Sequence, residues 1–147
     1  MRKSNYDKTP STRIEGKIWI GWSEILNKLK KTGVTGDFRK VFVVECYQGV
    51  NKQELLSYFK ELSPTILIDT ENLFKSPEDI ERMTAPYMTE DSLFGYTSHF
   101  SYKNFLDTEK VAACREQITH TNGLIVLCGH GAAEVYPHPD LLMYIDM

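Results

Sequence analysis

Three apolar runs of the chain end in residues that could act in binding or catalysis. Two of the runs end in carboxylates, and the third is followed by a histidine between two glycines. Glu45 lies near the end of one run and Asp69 at the end of another. His130 follows a third run and is flanked by Gly129 and Gly131. A pair of carboxylates could bind a divalent cation or share acid–base work. A glycine-rich turn carrying a histidine could hold a ligand or supply a base.

Each of these features also has a structural explanation. Polar side chains at strand ends commonly cap helices or hold loops, and carboxylates cluster in structural networks as well as in active sites. We favour this interpretation for Glu45 and Asp69, because no phosphate-binding motif accompanies them. For residues 129–131 we favour a turn in which the glycines let the backbone reverse, since two glycines alone do not define a ligand loop.

Residues 40–62 predict a buried strand, a tight turn and an amphipathic helix, the framework in which a nucleotide-binding α/β fold holds phosphates. A P-loop requires the pattern G-x-x-x-x-G-K-[ST]. The turn instead reads ECYQGVNK, with Gly49 as its one glycine and the carboxylate of Glu45 where an anion would sit. Lys52 stands near the place of the P-loop lysine, without the preceding glycine or a following hydroxyl. We therefore predict a kinase-like framework without a working P-loop.

Ligands of open α/β sheets bind beyond the carboxyl ends of the strands. That rule defines a candidate ligand site at the predicted strand ends, made of Glu45, Tyr47, Gly49, Lys52, Asp69, Gly129, His130 and Gly131. Within this site Glu45 and Asp69 are expected at adjacent strand ends. The four histidines and three cysteines show no zinc-site spacing, so we expect no metal site.

An aromatic cluster spans residues 94–105. Up to residue 102 its aromatic side chains fall mostly at alternate positions, which suggests a strand or an aromatic-rich loop. The cluster could stack a base or a sugar, or it could belong to the core or to an interface. We favour the core or an interface, because few basic residues surround it.

Length and charge limit the class of protein. A chain of 147 residues suits one domain, and we predict a polar N-terminal arm over residues 1–16 and a single α/β domain over residues 17–147. The net charge of −3 argues against nucleic-acid binding, which needs a concentrated basic surface. The chain has no signal-like segment and no apolar run of about 18–20 residues, so we expect no membrane partner. Its odd number of cysteines, without C-x-x-C spacing, fits a reducing compartment, and we expect a cytoplasmic location.

Apolar runs alternate with helical patterns, which predicts a parallel sheet with helices on both faces, a three-layer α/β fold. We expect strands at residues 18–22, ahead of the turn at residues 45–52, and at residues 65–69, 124–128 and 141–145. Helix starts are predicted at Ser23, at Asn51 with Glu54 three residues later, at Ser76 before a proline, and at Asp107.

Three segments carry a resemblance to a known family: VVECYQGVNKQELL, ILIDTENLFKSPEDIERMTAPYMTEDSLFG, and GLIVLCGHGAAEV through LLMYIDM. They resemble the N-terminal domain of long-form bacterial class I mannose-6-phosphate isomerases, a domain that is itself similar to nucleoside kinases such as uridine kinase. The resemblance covers roughly residues 5–147. In that family the isomerase chemistry belongs to a downstream cupin region, where His, Gln and Glu side chains hold a zinc ion.

The resemblance implies a non-catalytic accessory domain of sugar-phosphate metabolism, acting in binding, regulation or assembly and lacking the C-terminal catalytic region. It implies no cofactor in this chain, with zinc expected only in that region. The expected partner is the isomerase catalytic region, or a second copy through residues 141–147. The alternative is a small nucleotide-dependent phosphotransferase with a degenerate phosphate loop, using Glu45 and Asp69 for Mg²⁺.

Overall fold

A computed structural model describes residues 9–11, 13, 15–34, 38–91 and 93–146. The strands are β1 (Lys40–Cys46), β2 (Ile66–Asp69), β3 (Leu124–Gly129) and β4 (Leu141–Ile145). The α-helices are α1 (Gly21–Leu29), α2 (Lys52–Lys60), α3 (Pro77–Thr84), α4 (Tyr102–Phe105), α5 (Thr108–His120) and α6 (Ala132–Val135). Lys30–Val34 continues α1 as a π-helix, and Thr70–Leu73 and Ala85–Tyr87 are 3₁₀-helices.

The four strands form one parallel sheet in the order β2-β3-β1-β4. The central strands β1 and β3 are the most buried, and every residue of β3 is buried. Continuous apolar strands are expected where both faces of a parallel sheet are covered. The predicted α/β fold with a parallel sheet is therefore confirmed.

Alternate residues of β1 feed two hydrophobic clusters on opposite faces of the sheet. Phe42 and Val44 pack with α1 and α2, where the ring of Phe42 meets Phe59 edge to face at 5.5 Å. Val41 and Val43 pack with α5 and α6. The helices thus lie on both faces, which confirms the three-layer arrangement.

Three of the predicted helix starts are confirmed. The side chain of Asn51 accepts the N–H of Glu54 at the start of α2, and Ser76 accepts the N–H of Asp79 at the start of α3. Asp107 Oδ1 accepts two N–H groups at the start of α5. Each cap pairs a backbone donor that has no partner within its helix.

The predicted strand at residues 18–22 is wrong. Gly21 begins α1 with a φ of +80°, and Ile20 is the N-cap residue. Its N–H is bound by the Glu24 carboxylate instead of by a neighbouring strand, and Ser23 lies inside the helix. Of the two alternatives for the aromatic segment, a strand or a loop, residues 94–101 form the loop.

Candidate functional site

The sheet order creates a crevice between the carboxyl ends of β1 and β3. From β1 the chain crosses β3 to reach β2, and from β3 it crosses β1 to reach β4. The helices that follow, α2 and α6, pack on opposite faces of the sheet. Ligands of open α/β sheets bind where adjacent strands lead away in opposite directions in this manner.

Glu45 occupies this crevice with its own carboxylate. Oε1 accepts the N–H of Gly131 at 2.7 Å and Oε2 accepts the N–H of Ala133 at 2.8 Å. Gly131 has a φ of +69°, in the left-handed region that favours glycine. Backbone N–H groups in such turns commonly bind anions. Here the anion is a side chain of the neighbouring strand.

Lys52 lies in a second group of charges, beside the crevice. Its ammonium is 3.0 Å from Asp69 Oδ2 and also contacts Glu71 Oε2, and its side chain is only 10% exposed. Burial by itself would lower the pKa of Lys52, but hydrogen bonds with Glu71 and Asp69 outweigh burial and raise that pKa. Lys52 therefore stays charged and is neutralised within the chain.

His130 ties the loop after β3 to both neighbouring strands. Its Nδ1 is 2.8 Å from the carbonyl oxygen of Cys46, which can only accept, so Nδ1 carries a hydrogen and donates the hydrogen bond. The buried hydroxyl of Thr70, just after β2, donates to the carbonyl of His130 at 2.9 Å. Gly129 has a φ of +137° and leaves no room for a Cβ beside Thr70. A glycine is therefore required at position 129 for β2 and β3 to approach this closely.

Tyr47 and Gly49 shape the turn that follows β1. The N–H of Tyr47 donates to the carbonyl of Ile145 at 2.9 Å, which extends the pairing of β1 with β4. Gly49 has a φ of +96°. The Tyr47 side chain is half exposed and lies near Tyr144, whose pKa is raised by desolvation and by nearby acidic groups that include Tyr47.

The predicted pairing of Glu45 with Asp69 at adjacent strand ends is wrong. β3 lies between their strands, so each carboxylate belongs to a separate network. Glu45 binds the turn before α6, and Asp69 pairs with Lys52 and accepts the N–H of Glu71. In the part of the chain that the structure describes, no group of three or more His, Cys, Asp or Glu side chains is arranged to hold a metal ion.

Two features of this region escaped the sequence analysis. Cys46 and Cys128 place their sulfur atoms 3.9 Å apart, and both thiols are buried. A hydrogen bond from Cys128 lowers the pKa of Cys46, while the same bond and burial raise the pKa of Cys128. The short helix α6 was also missed. The strand order was the missing signal for the thiols, because their residues are 82 positions apart.

Fold and site together define a parallel α/β domain whose strand-end crevice is closed by its own carboxylate. Residues 21–147 match the family described as Domain of unknown function (DUF8485), and the chain belongs to that family. No curated protein and no solved structure matches the chain. Among the described residues, no helix combines the length and apolar character needed to cross a membrane.

Proposed function

We propose that this chain is a non-catalytic accessory domain that binds and regulates, or helps to assemble, the catalytic region of a sugar-phosphate isomerase. The observation that carries the proposal is the pair of hydrogen bonds from Gly131 and Ala133 to Glu45. The mannose-6-phosphate isomerase part of the proposal depends on the sequence resemblance alone.

The closed crevice supports a role without phosphate chemistry. A nucleotide phosphate could reach the two N–H groups only by displacing Glu45, which is attached to β1. Each charge-assisted hydrogen bond stabilises by roughly 1.5–3 kcal/mol, and a displaced carboxylate would also repel the incoming phosphate. A catalytic phosphate site has the opposite design, with donors that are free before the ligand arrives.

A cytoplasmic location is part of the proposal. Cys46, Cys114 and Cys128 are all buried free thiols, which supports a reducing compartment.

One observation favours the alternative of a small phosphotransferase. Lys52 is the first residue of α2 and contacts Asp69 at the end of β2, so it lies near a strand end where Mg²⁺ and a nucleotide could separate the pair. That arrangement would need Lys52 to leave two carboxylates. We therefore keep the phosphotransferase as the second candidate.

Sedimentation with a purified class I mannose-6-phosphate isomerase catalytic region tests the accessory role. We expect a stoichiometric complex and a change in isomerase KM or kcat, with an unrelated cupin protein of similar size as the control. Failure to form a complex with the isomerase region would contradict the proposal.

Thermal unfolding with ATP and Mg²⁺ tests the alternative. We expect no shift in Tm. A saturable, Mg²⁺-dependent shift that Asp69→Ala abolishes would instead favour the phosphotransferase. Asp79→Ala is the control variant, since Asp79 lies on α3 and is paired with Arg82.

A further inference from the structure

A second cleft opens beside the closed crevice, beyond the carboxyl ends of β2 and β3. Glu71 comes from the 3₁₀-helix after β2, and His130 comes from the loop after β3. The cleft has a volume of about 650 Å³, within the range of roughly 300–1,000 Å³ that is usual for small-molecule sites. It thus has both the position and the size of a ligand site.

Two lysines, Lys75 and Lys110, are among the residues that line this cleft. Lys75 Nζ donates to the carbonyl of Asn104 at 2.6 Å, and Lys110 Nζ donates to the carbonyl of Phe74 at 2.8 Å. A carbonyl uses one of the three donors of an ammonium group, which leaves two donors on each lysine. Within the described ranges neither lysine forms a salt bridge. Backbone carbonyls therefore hold both cations without neutralising them.

One carboxylate lies among the residues that line the cleft. Glu71, which lines the cleft, contacts Lys52. Three further carboxylates lie on the other side of Lys75, outside the cleft: Asp79, which pairs with Arg82 at 3.1 Å, Asp107, which caps α5, and Glu109. With two lysines against the single carboxylate of Glu71, the residues that line the cleft carry a net positive charge.

The remaining walls determine what kind of anion fits. Phe74 and Ile80 line the cleft with apolar surface. His130 also lines the cleft, and its Nδ1 is bound to the carbonyl oxygen of Cys46. We propose that the cleft binds a small organic anion, whose phosphate or carboxylate contacts Lys75 and Lys110 while its apolar body packs on Phe74 and Ile80. This proposal does not depend on the accessory role.

Isothermal titration with phenyl phosphate and with benzoate tests the site and distinguishes the two anionic groups. We expect saturable binding of at least one of these probes at millimolar concentration. Inorganic phosphate should bind more weakly than phenyl phosphate, because it has no body to contact the apolar walls. Absence of binding by both organic probes would overturn the proposal, and equal affinity for inorganic phosphate would overturn the role of the apolar walls.

Substitutions of the two lysines test whether the probe binds in this cleft. Lys75→Gln and Lys110→Gln should each weaken binding of the probe about tenfold or more, because each substitution removes a hydrogen bond to a charged group. Lys60→Gln is the matched control, because Lys60 is an exposed lysine in the last turn of α2. Unchanged affinity in both cleft variants would overturn the assignment. Lys110 is exposed, so its substitution tests the site even if Lys75→Gln fails to fold.

Discussion

A carboxylate side chain and a free phosphate offer similar oxygens to backbone N–H groups. They differ because the side chain is attached to the protein, whereas the phosphate must arrive from solution. Glu45 brings its oxygens from β1, so they are present in every folded molecule. A free phosphate must compete with a group that the chain itself holds in place. The crevice between β1 and β3 is therefore stabilised by an internal anion.

Glu45→Gln tests that stabilisation. The variant keeps the shape of the side chain but replaces one acceptor oxygen with a donor, which leaves Gly131 or Ala133 without a partner. We expect the free energy of unfolding to fall by roughly 1–3 kcal/mol in urea titrations. Glu116→Gln, at an exposed position of α5, should change it by less than about 0.5 kcal/mol. Equal stability of the two variants would contradict the role of Glu45.

Lys52 gives a pH dependence with a defined sign. Its pKa in the folded chain is raised above the ordinary value of 10.5, so its stabilisation is fully present below that pH and is lost as the pH rises through the folded pKa. We expect Lys52→Met to be less stable than the parent at neutral pH and the difference to shrink above 10.5. Urea unfolding across this range measures the effect. Lys60→Met should show no such convergence, and a constant difference for Lys52→Met would refute the coupling.

The helices begin where local sequence signals place them, and their caps differ in quality. Asp107 accepts two N–H groups at 2.9 and 3.1 Å, whereas Asn51 accepts one at 3.4 Å. Shorter and more numerous bonds to a charged acceptor stabilise more. The start of α5 should therefore depend on its cap more than the start of α2.

Asp107→Ala and Asn51→Ala form a matched pair for that comparison. N-cap substitutions by alanine cost about 0.5–2 kcal/mol. We expect Asp107→Ala in the upper half of this range and Asn51→Ala in the lower half, measured by chemical unfolding. The reverse order would show that cap geometry does not control the stability of these helices.

Local signals and long-range contacts explain what the sequence could and could not predict. The caps at Asn51, Ser76 and Asp107 involve neighbours within three residues, so a single sequence contains the whole signal. The bond from Gly131 to Glu45 joins residues 86 positions apart and exists only because β1 lies beside β3. Local patterns predict strands but not their order. For that reason Asp69 was expected beside Glu45, although β3 separates their strands.

For the molecule as a whole, β4 forms one edge of the sheet. Leu142 and Tyr144 are exposed on this strand, at 55% and 61%. Exposed apolar edge strands favour pairing with another chain. We therefore keep the prediction of self-association through residues 141–147. The last residue of that segment, 147, lies outside the described residues.

Leu142→Lys tests the edge. A charge on an edge strand opposes pairing between chains, so we expect sedimentation equilibrium to show weaker self-association than in the parent. Leu93→Lys, at another exposed leucine, should leave the association unchanged. A parent chain that sediments as a monomer at every concentration would contradict the prediction.

The closed crevice is tested most directly by the amide resonances of Gly131 and Ala133 in a ¹⁵N-labelled sample titrated with ATP and Mg²⁺. Because Glu45 already binds both N–H groups, we predict that neither resonance moves in a saturable way. Saturable shifts of both resonances would mean that phosphate takes the place of Glu45, and would contradict the account.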